Sequence, residues 1–221
     1  MSTLDGAPTT TGDRTTVDRT PGDRTALDRT AGAPTGRAAR ALRRRELLVG
    51  RLIDVFLERG FAGLSVAEMA AVLRCSKSTL YSIAASREQI IVAVVRAFFR
   101  RATERVEAVL DANADPRDRV GAYLRAISAE LAPATPAFFA DLDAFPPARE
   151  IYKQNTGYAV RRVQGLVREA SPGADAAFVG AVAGQVMESI HRGEIKAQTG
   201  LDDSAAYAAL AELIVARMSA G

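Results

Sequence analysis

Three short runs place hydroxyls and cations where a helix is expected to begin. They are Ser65-Val66-Ala67-Glu68, Ser76-Lys77-Ser78-Thr79 and Ser86-Arg87-Glu88-Gln89. The first and third are spaced as capping boxes: the Ser hydroxyl accepts from the third helical amide, and the Glu or Gln returns to the Ser amide. Ser76 is a further N-cap candidate. The chemistry available at such starts is anion recognition, because the first amides of a helix lack intrahelical acceptors and carry the positive end of its dipole. Ser65 and the amides at Arg87 can each meet a phosphate. Lys77, Ser78 and Thr79 can reach phosphates or the edges of bases in a major groove. Tyr81 can rest its ring on a sugar and give its hydroxyl to a phosphate. Arg44, within Arg43-Arg44-Arg45, and Arg74, in the turn before Ser76, are further candidate contacts.

The elements that must hold these residues are helical. Leu48, Leu52 and Phe56, joined by Leu47 and Val55, form a stripe at helical spacing, and Gly60 suits a left-handed stop. Val66, Met69, Ala70 and Leu73 face inward on a short helix. A second short helix runs from Lys77 to about Ile83, and a long one from Ser86 carries Ile91, Val94, Val95, Phe98 and Ala102 on one face. A capped short helix, a turn at Leu73-Arg74-Cys75 and a second capped helix make the helix-turn-helix plan. Charge agrees with it. Residues 37–101 hold 13 Lys or Arg against 5 acids, whereas residues 102–221 hold 12 against 16. A basic segment joined to an acidic one suits a polyanion-binding module attached to something with another task.

Phe61-Ala62-Gly63-Leu64-Ser65-Val66-Ala67-Glu68-Met69-Ala70, Cys75-Ser76-Lys77-Ser78-Thr79-Leu80-Tyr81 and Ser86-Arg87-Glu88 together resemble the DNA-binding domain of TetR-family regulators. The resemblance covers about Arg44 to Phe99. It implies a three-helix DNA-binding domain, linked by the long helix from Arg87 to a larger helical domain that binds an effector and dimerises. The chain departs from the pattern at three places. Arg74 stands where the family has Gly in the turn: either it adopts a left-handed conformation at about 1 kcal/mol, or the turn differs in shape. Ile83 and Ala84 stand where the family has an aromatic or His and then Phe.

Beyond Arg105 proline marks the joints, at Pro116, Pro133, Pro136, Pro146, Pro147 and Pro172, and no period-two alternation appears. The expected class is all-α: an N-terminal three-helix helix-turn-helix domain (37–86) and a C-terminal helical bundle for ligand binding and dimerisation (87–221), preceded by a low-complexity tail (1–36). The tail repeats Asp-Arg-Thr with a period of five and has too few apolar residues to order itself. Candidate ligand-binding residues are Phe98, Tyr123, Phe138, Phe139, Leu142, Tyr152, Tyr158, Met187 and His191, which suit a mostly apolar cavity between helices. His191 can line it or face a partner. Gly180 and Gly184, with Ala176 and Ala183, allow close helix approach, as does the Ala-rich stretch 205–216; both helices are expected in a four-helix dimer interface.

One His and one Cys give no metal-ligand spacing, and no nucleophile elbow, phosphate loop or catalytic constellation is present. No cofactor and no enzymatic activity are expected. The longest apolar stretch, Ala176 to Met187, has 12 residues, short of the roughly 18 needed for a membrane span. With a polar N-terminus and a lone Cys75, a cytoplasmic location is expected. The residues thus point to a homodimeric regulator, a ligand-responsive repressor on a palindromic duplex DNA operator with a small-molecule effector. The alternative is a small-molecule or partner-binding helical protein that has lost sequence-specific DNA binding, a reading the Ile83-Ala84 departure suggests.

Overall fold

The computed structural model describes residues 36–111 and 114–219, so the expected tail lies, apart from Gly36, outside the described residues. Ten helices and no strand occur among them: α1 (Gly36–Arg59), α2 (Val66–Leu73), α3 (Lys77–Tyr81), α4 (Arg87–Ala108), α5 (Pro116–Leu131), α6 (Pro136–Ala144), α7 (Pro146–Ala170), α8 (Ala176–His191), α9 (Glu194–Thr199) and α10 (Asp203–Ser219). None is long and apolar enough to cross a membrane. The starts follow local chemistry. Ser65, Ser76 and Ser86 cap α2, α3 and α4. Proline opens α5, α6 and α7, where its missing amide hydrogen costs nothing. Asp202 caps α10 through the Ala205 amide, 2.8 Å away.

Two apolar cores form. The first joins α1 to α4 with α6 and the start of α7, from Leu48 to Tyr152. The second joins the end of α4 to α5, α7, α8 and α10. They meet inside α4, between Phe99 and Val106, rather than at its first turn. Several stripe residues point outward. Leu47 is 70% exposed, because its neighbours Leu48, Leu52, Val55 and Phe56 already fill the inner face. Phe178, Val182 and Leu213 are also exposed. Gly180 and Gly184 face α7 rather than a partner molecule. A Cβ on Gly180 would collide with the Gln164 side chain, and one on Gly184 would come within 2.7 Å of Val160 Cγ2.

The turn between α1 and α2 is held from both sides. Gly60 has φ +76°. The Asp141 carboxylate on α6 accepts from the Phe61 amide and, at 2.7 Å, from the Ala62 amide. Thr135 donates its amide and its hydroxyl to Leu57 O, each at 2.9 Å. From the other side, Arg87 donates to Leu64 O (2.7 Å), Ala62 O (2.7 Å) and Phe61 O (3.0 Å).

Arg74 closes α2 in the left-handed region, with φ 50° and ψ 48°. Its amide bonds Ala71 O and the Cys75 amide bonds Ala70 O, the paired pattern of a Schellman motif. Of the two turn shapes open to the sequence, the strained one is present. Replacing Arg74 by Gly removes that strain, which is about 1–2 kcal/mol, and gives back part of it through a freer unfolded chain. Arg74→Gly should therefore raise stability by roughly 0.5 kcal/mol. A urea midpoint that falls instead of rising would contradict this.

Candidate nucleic-acid interface and interior cavity

The first turn of α3 presents an open polar surface on the head formed by α1–α3. Leu80 is wholly buried and anchors the helix, while Lys77 and Ser78 are exposed and Tyr81 is 48% exposed. Ser76 Oγ accepts from the Thr79 amide at 3.1 Å and lies 2.8 Å from Ser78 Oγ and 2.7 Å from Thr79 Oγ1. Three hydroxyls thus share one cluster. Lys77, Arg74 and Arg44 are exposed, and their side chains make no hydrogen bond or ion pair among the described residues. At α2 the capping box is complete. Ser65 N donates to Glu68 Oε2 at 2.7 Å and Glu68 N to Ser65 Oγ at 3.2 Å, which holds the Glu68 carboxyl below its usual range. The box consumes the Ser65 amide and leaves those of Val66 and Ala67 open, while at α3 the amides of Lys77 and Ser78 remain open.

At α4 the expected capping box is only half formed: Gln89 Oε1 accepts from the Ala85 amide at 3.2 Å, not from the Ser86 amide. The Arg87 guanidinium is spent on the α1–α2 turn and points into the head. The Glu88 carboxyl bonds its own amide and Ser86, which lowers its pKa and places an anion over this helix start. Gln89 N is taken by Ser86 Oγ at 3.2 Å. The Arg87 amide is what this terminus still offers. Other arginines of the basic segment are likewise internal fasteners. Arg45 donates to Ile83 O (3.1 Å), Arg51 to Leu73 O (3.1 Å) and Arg101 to Glu46 O (3.4 Å). Ile83 is buried and Ala84 half-buried in the same core, so both serve packing.

The second feature is a cavity of about 40 Å³ lined by residues of α4, α5, α7, α8 and α10. Tyr123, Tyr152, Tyr158, Met187 and His191, all candidates from sequence, line it. Phe98, Phe138, Phe139 and Leu142 do not; they are buried in the first core, between the cavity and the head. Phe139 stacks on His191 with centroids 4.8 Å apart, and Phe138 packs on Phe61 of the head at 6.2 Å. Sequence reasoning missed Phe99, Thr103, Glu130, Asn155, Thr156 and Tyr207. Tyr207, a lone aromatic in the Ala-rich α10, carried a usable signal. The polar residues carried none, since nothing local distinguishes them from surface positions.

No family model and no curated protein matches the sequence. Solved structures do match in fold. A protein described as a TetR-family transcriptional regulator from a Rhodococcus species aligns with TM-score 0.65 at 18% identity, over 80% of this chain and 99% of its own. The regulator FadR from Bacillus subtilis in complex with stearoyl-CoA aligns with TM-score 0.59 at 14% identity, over 77% and 97%. A transcriptional regulator from Saccharomonospora viridis in complex with choline aligns with TM-score 0.62 at 16% identity, over 78% and 96%. The fold of this chain is therefore the one on which solved TetR-family regulators are built: a helix-turn-helix head followed by a helical bundle.

Inside the cavity burial decides the protonation states. His191 accepts or donates between Tyr152 OH (2.6 Å from Nδ1) and Tyr207 OH (2.8 Å from Nε2). Desolvation lowers its pKa from 6.5 to about 4 and raises those of both tyrosines. The unfolded chain therefore takes up a proton near pH 6.5 that the folded chain refuses until about pH 4. Between those values stability rises with pH and is lost on acidification, by up to ~1.4 kcal/mol per pH unit. His191→Asn should flatten the pH dependence of urea unfolding between pH 4 and 6.5 relative to the natural chain. Identical slopes in the two proteins would refute the assignment.

Proposed function

We propose that this chain is a TetR-family transcription regulator, acting as a homodimeric, ligand-responsive repressor on a partly palindromic DNA operator. The observation that carries the reading is the first turn of α3. A buried Leu80 fixes the helix, and Lys77, the Ser76–Ser78–Thr79 hydroxyl cluster and open amides face outward on a helix-turn-helix frame. Arg44, Ser65, Arg74, Tyr81 and the Arg87 amide fall on the same head, and phosphate contacts from them would set register while α3 reads bases.

A partner surface is available on α8, α9 and α10. Phe178, Val182, Leu201 and Leu213 leave an exposed apolar face there, continuous with Val186 and Ile195. Such a patch is what a symmetric helical dimer would cover. The interior cavity is the proposed effector site. Two structural neighbours bind choline and stearoyl-CoA, so this fold accommodates effectors of different chemistry. A ligand that widens the cavity would push on Tyr152 and His191. The stack His191–Phe139 and the pair Phe138–Phe61 give a packed route to the head. Ligand and operator would then favour different settings of α6 against α1, which is the condition for release.

Binding should be tested by gel shift and anisotropy against DNA flanking the coding region. Affinity should fall steeply with salt, and Lys77→Ala should weaken operator binding by about tenfold. Absence of any retardation at low salt would refute the DNA-binding reading. In sedimentation at micromolar concentration the natural chain should be a dimer, and Phe178→Asp with Leu213→Asp should give a folded monomer. A natural chain that sediments as a monomer would remove the dimer from the proposal.

A further inference from the structure

The unspent hydrogen bonds of the cavity describe its ligand. We infer that it takes a small, uncharged, mostly apolar molecule bearing an acceptor oxygen, of the class of cyclic ketones and lactones. This rests on reading the cavity as a ligand site.

Two donors face the cavity without an acceptor, and a third does when His191 carries its hydrogen on Nε2. Neutral His191 has one N–H and one lone pair, yet two phenols flank it, Tyr152 at Nδ1 and Tyr207 at Nε2. One phenol donates to the ring and the other accepts from it. The accepting phenol keeps its own hydrogen. With the ring hydrogen on Nε2 this is Tyr207; with it on Nδ1 it is Tyr152, whose hydrogen the Thr156 hydroxyl can accept. The Tyr123 hydroxyl lines the cavity, on a residue 2% exposed, with no hydrogen-bond partner among the described residues. Asn155 Oδ1 accepts from Thr103 Oγ1 at 3.0 Å, which leaves the Asn155 amide hydrogens unspent.

Charge selects against ions. No Lys or Arg lines the cavity, and its one histidine is held neutral by burial. A carboxylate would enter with no cation to offset its lost hydration. Glu130 is the lining's one carboxylate, and Arg105 engages both its oxygens, at 2.7 Å each from Nε. An ammonium would therefore meet aromatic faces but also these donor hydrogens and no free anion. An acceptor oxygen satisfies the donors, and Phe99, Ala102, Val106, Ile127 and Met187 receive an apolar body. The present volume of about 40 Å³ holds about three or four waters, at roughly 10–15 Å³ each, so a ring enters only by widening the cavity.

Three probes of one shape separate the possibilities: 4-tert-butylcyclohexanone, 4-tert-butylcyclohexylammonium and 4-tert-butylcyclohexanecarboxylate. Their affinities for the full chain are measured by calorimetric titration, which needs no DNA. The ketone should bind at least tenfold more tightly than either ion. Tyr123→Phe and Asn155→Leu should each weaken it about tenfold, the loss expected for one hydrogen bond in a dry site, with thermal melts confirming that both variants fold. Tighter binding of the ammonium or the carboxylate, no binding of any probe, or ketone affinity unchanged in both variants would overturn the inference. Operator release by the ketone is scored separately. Ketone binding with no effect on DNA would leave the ligand class standing and remove the effector reading instead.

Discussion

The turn from Gly60 to Leu64 is the joint on which the described molecule depends. Its amides are held by Asp141 from α6 and its carbonyls by Arg87 from α4, so two helices of the larger bundle grip opposite edges of five residues. Backbone groups at the end of one helix and the start of the next have no intrahelical partners. Here those groups are satisfied by charged side chains, whose hydrogen bonds are about twice as strong as neutral ones. The geometry admits little substitution. Gly60 alone tolerates the positive φ, and a Cβ there would strike the Asp141 carboxylate. The direction in which α2 leaves the turn, and with it the setting of α3, follows from this clamp.

Around the joint the packing is aromatic. Phe56, Phe61, Phe138 and Phe145 interlock, with Phe61 in contact with the other three at centroid separations of 5.3–6.3 Å. Phe138 continues to Phe139, and Phe139 to His191 and Tyr152 at the cavity wall. Close-packed rings transmit displacement because they cannot be compressed. The same segment, α6, carries both Asp141 and Phe139, so a shift of the cavity wall and a shift of the clamp are motions of one short helix.

What the sequence made legible was what its neighbours determine. Ser65, Ser76 and Ser86 cap helices because a hydroxyl three residues before an amide can reach it whatever surrounds them. At Arg74 the sequence left two turn shapes open, and the structure shows the left-handed one. The candidate cavity residues were only half separable. Periodicity tells that Phe138 and Tyr152 both face inward, but not that one meets a phenylalanine cluster and the other a cavity. Asp141 lies about 80 residues from the amides it holds, and no local pattern marks it. Charge counting is blind in a similar way to where each cation points. Arg45, Arg51, Arg87 and Arg101 raise the positive charge of residues 37–101, yet each is spent on a backbone carbonyl rather than offered to a ligand. The small residues of α8 mark a close approach, as their size requires, but the helix they approach is α7 of the same chain.

The first apolar core runs from Leu48 to Tyr152 without a break at the start of α4. A head excised after Ser86 would leave behind Ile90, Ile91, Val94, Val95 and Phe98 together with the α6 rings, and would present Leu52, Phe56 and Phe61 to water. The head is therefore not a unit that can be cut free at Ser86 with its core still covered. A head that keeps its core covered must carry α4, α6 and the first turns of α7 along with α1–α3.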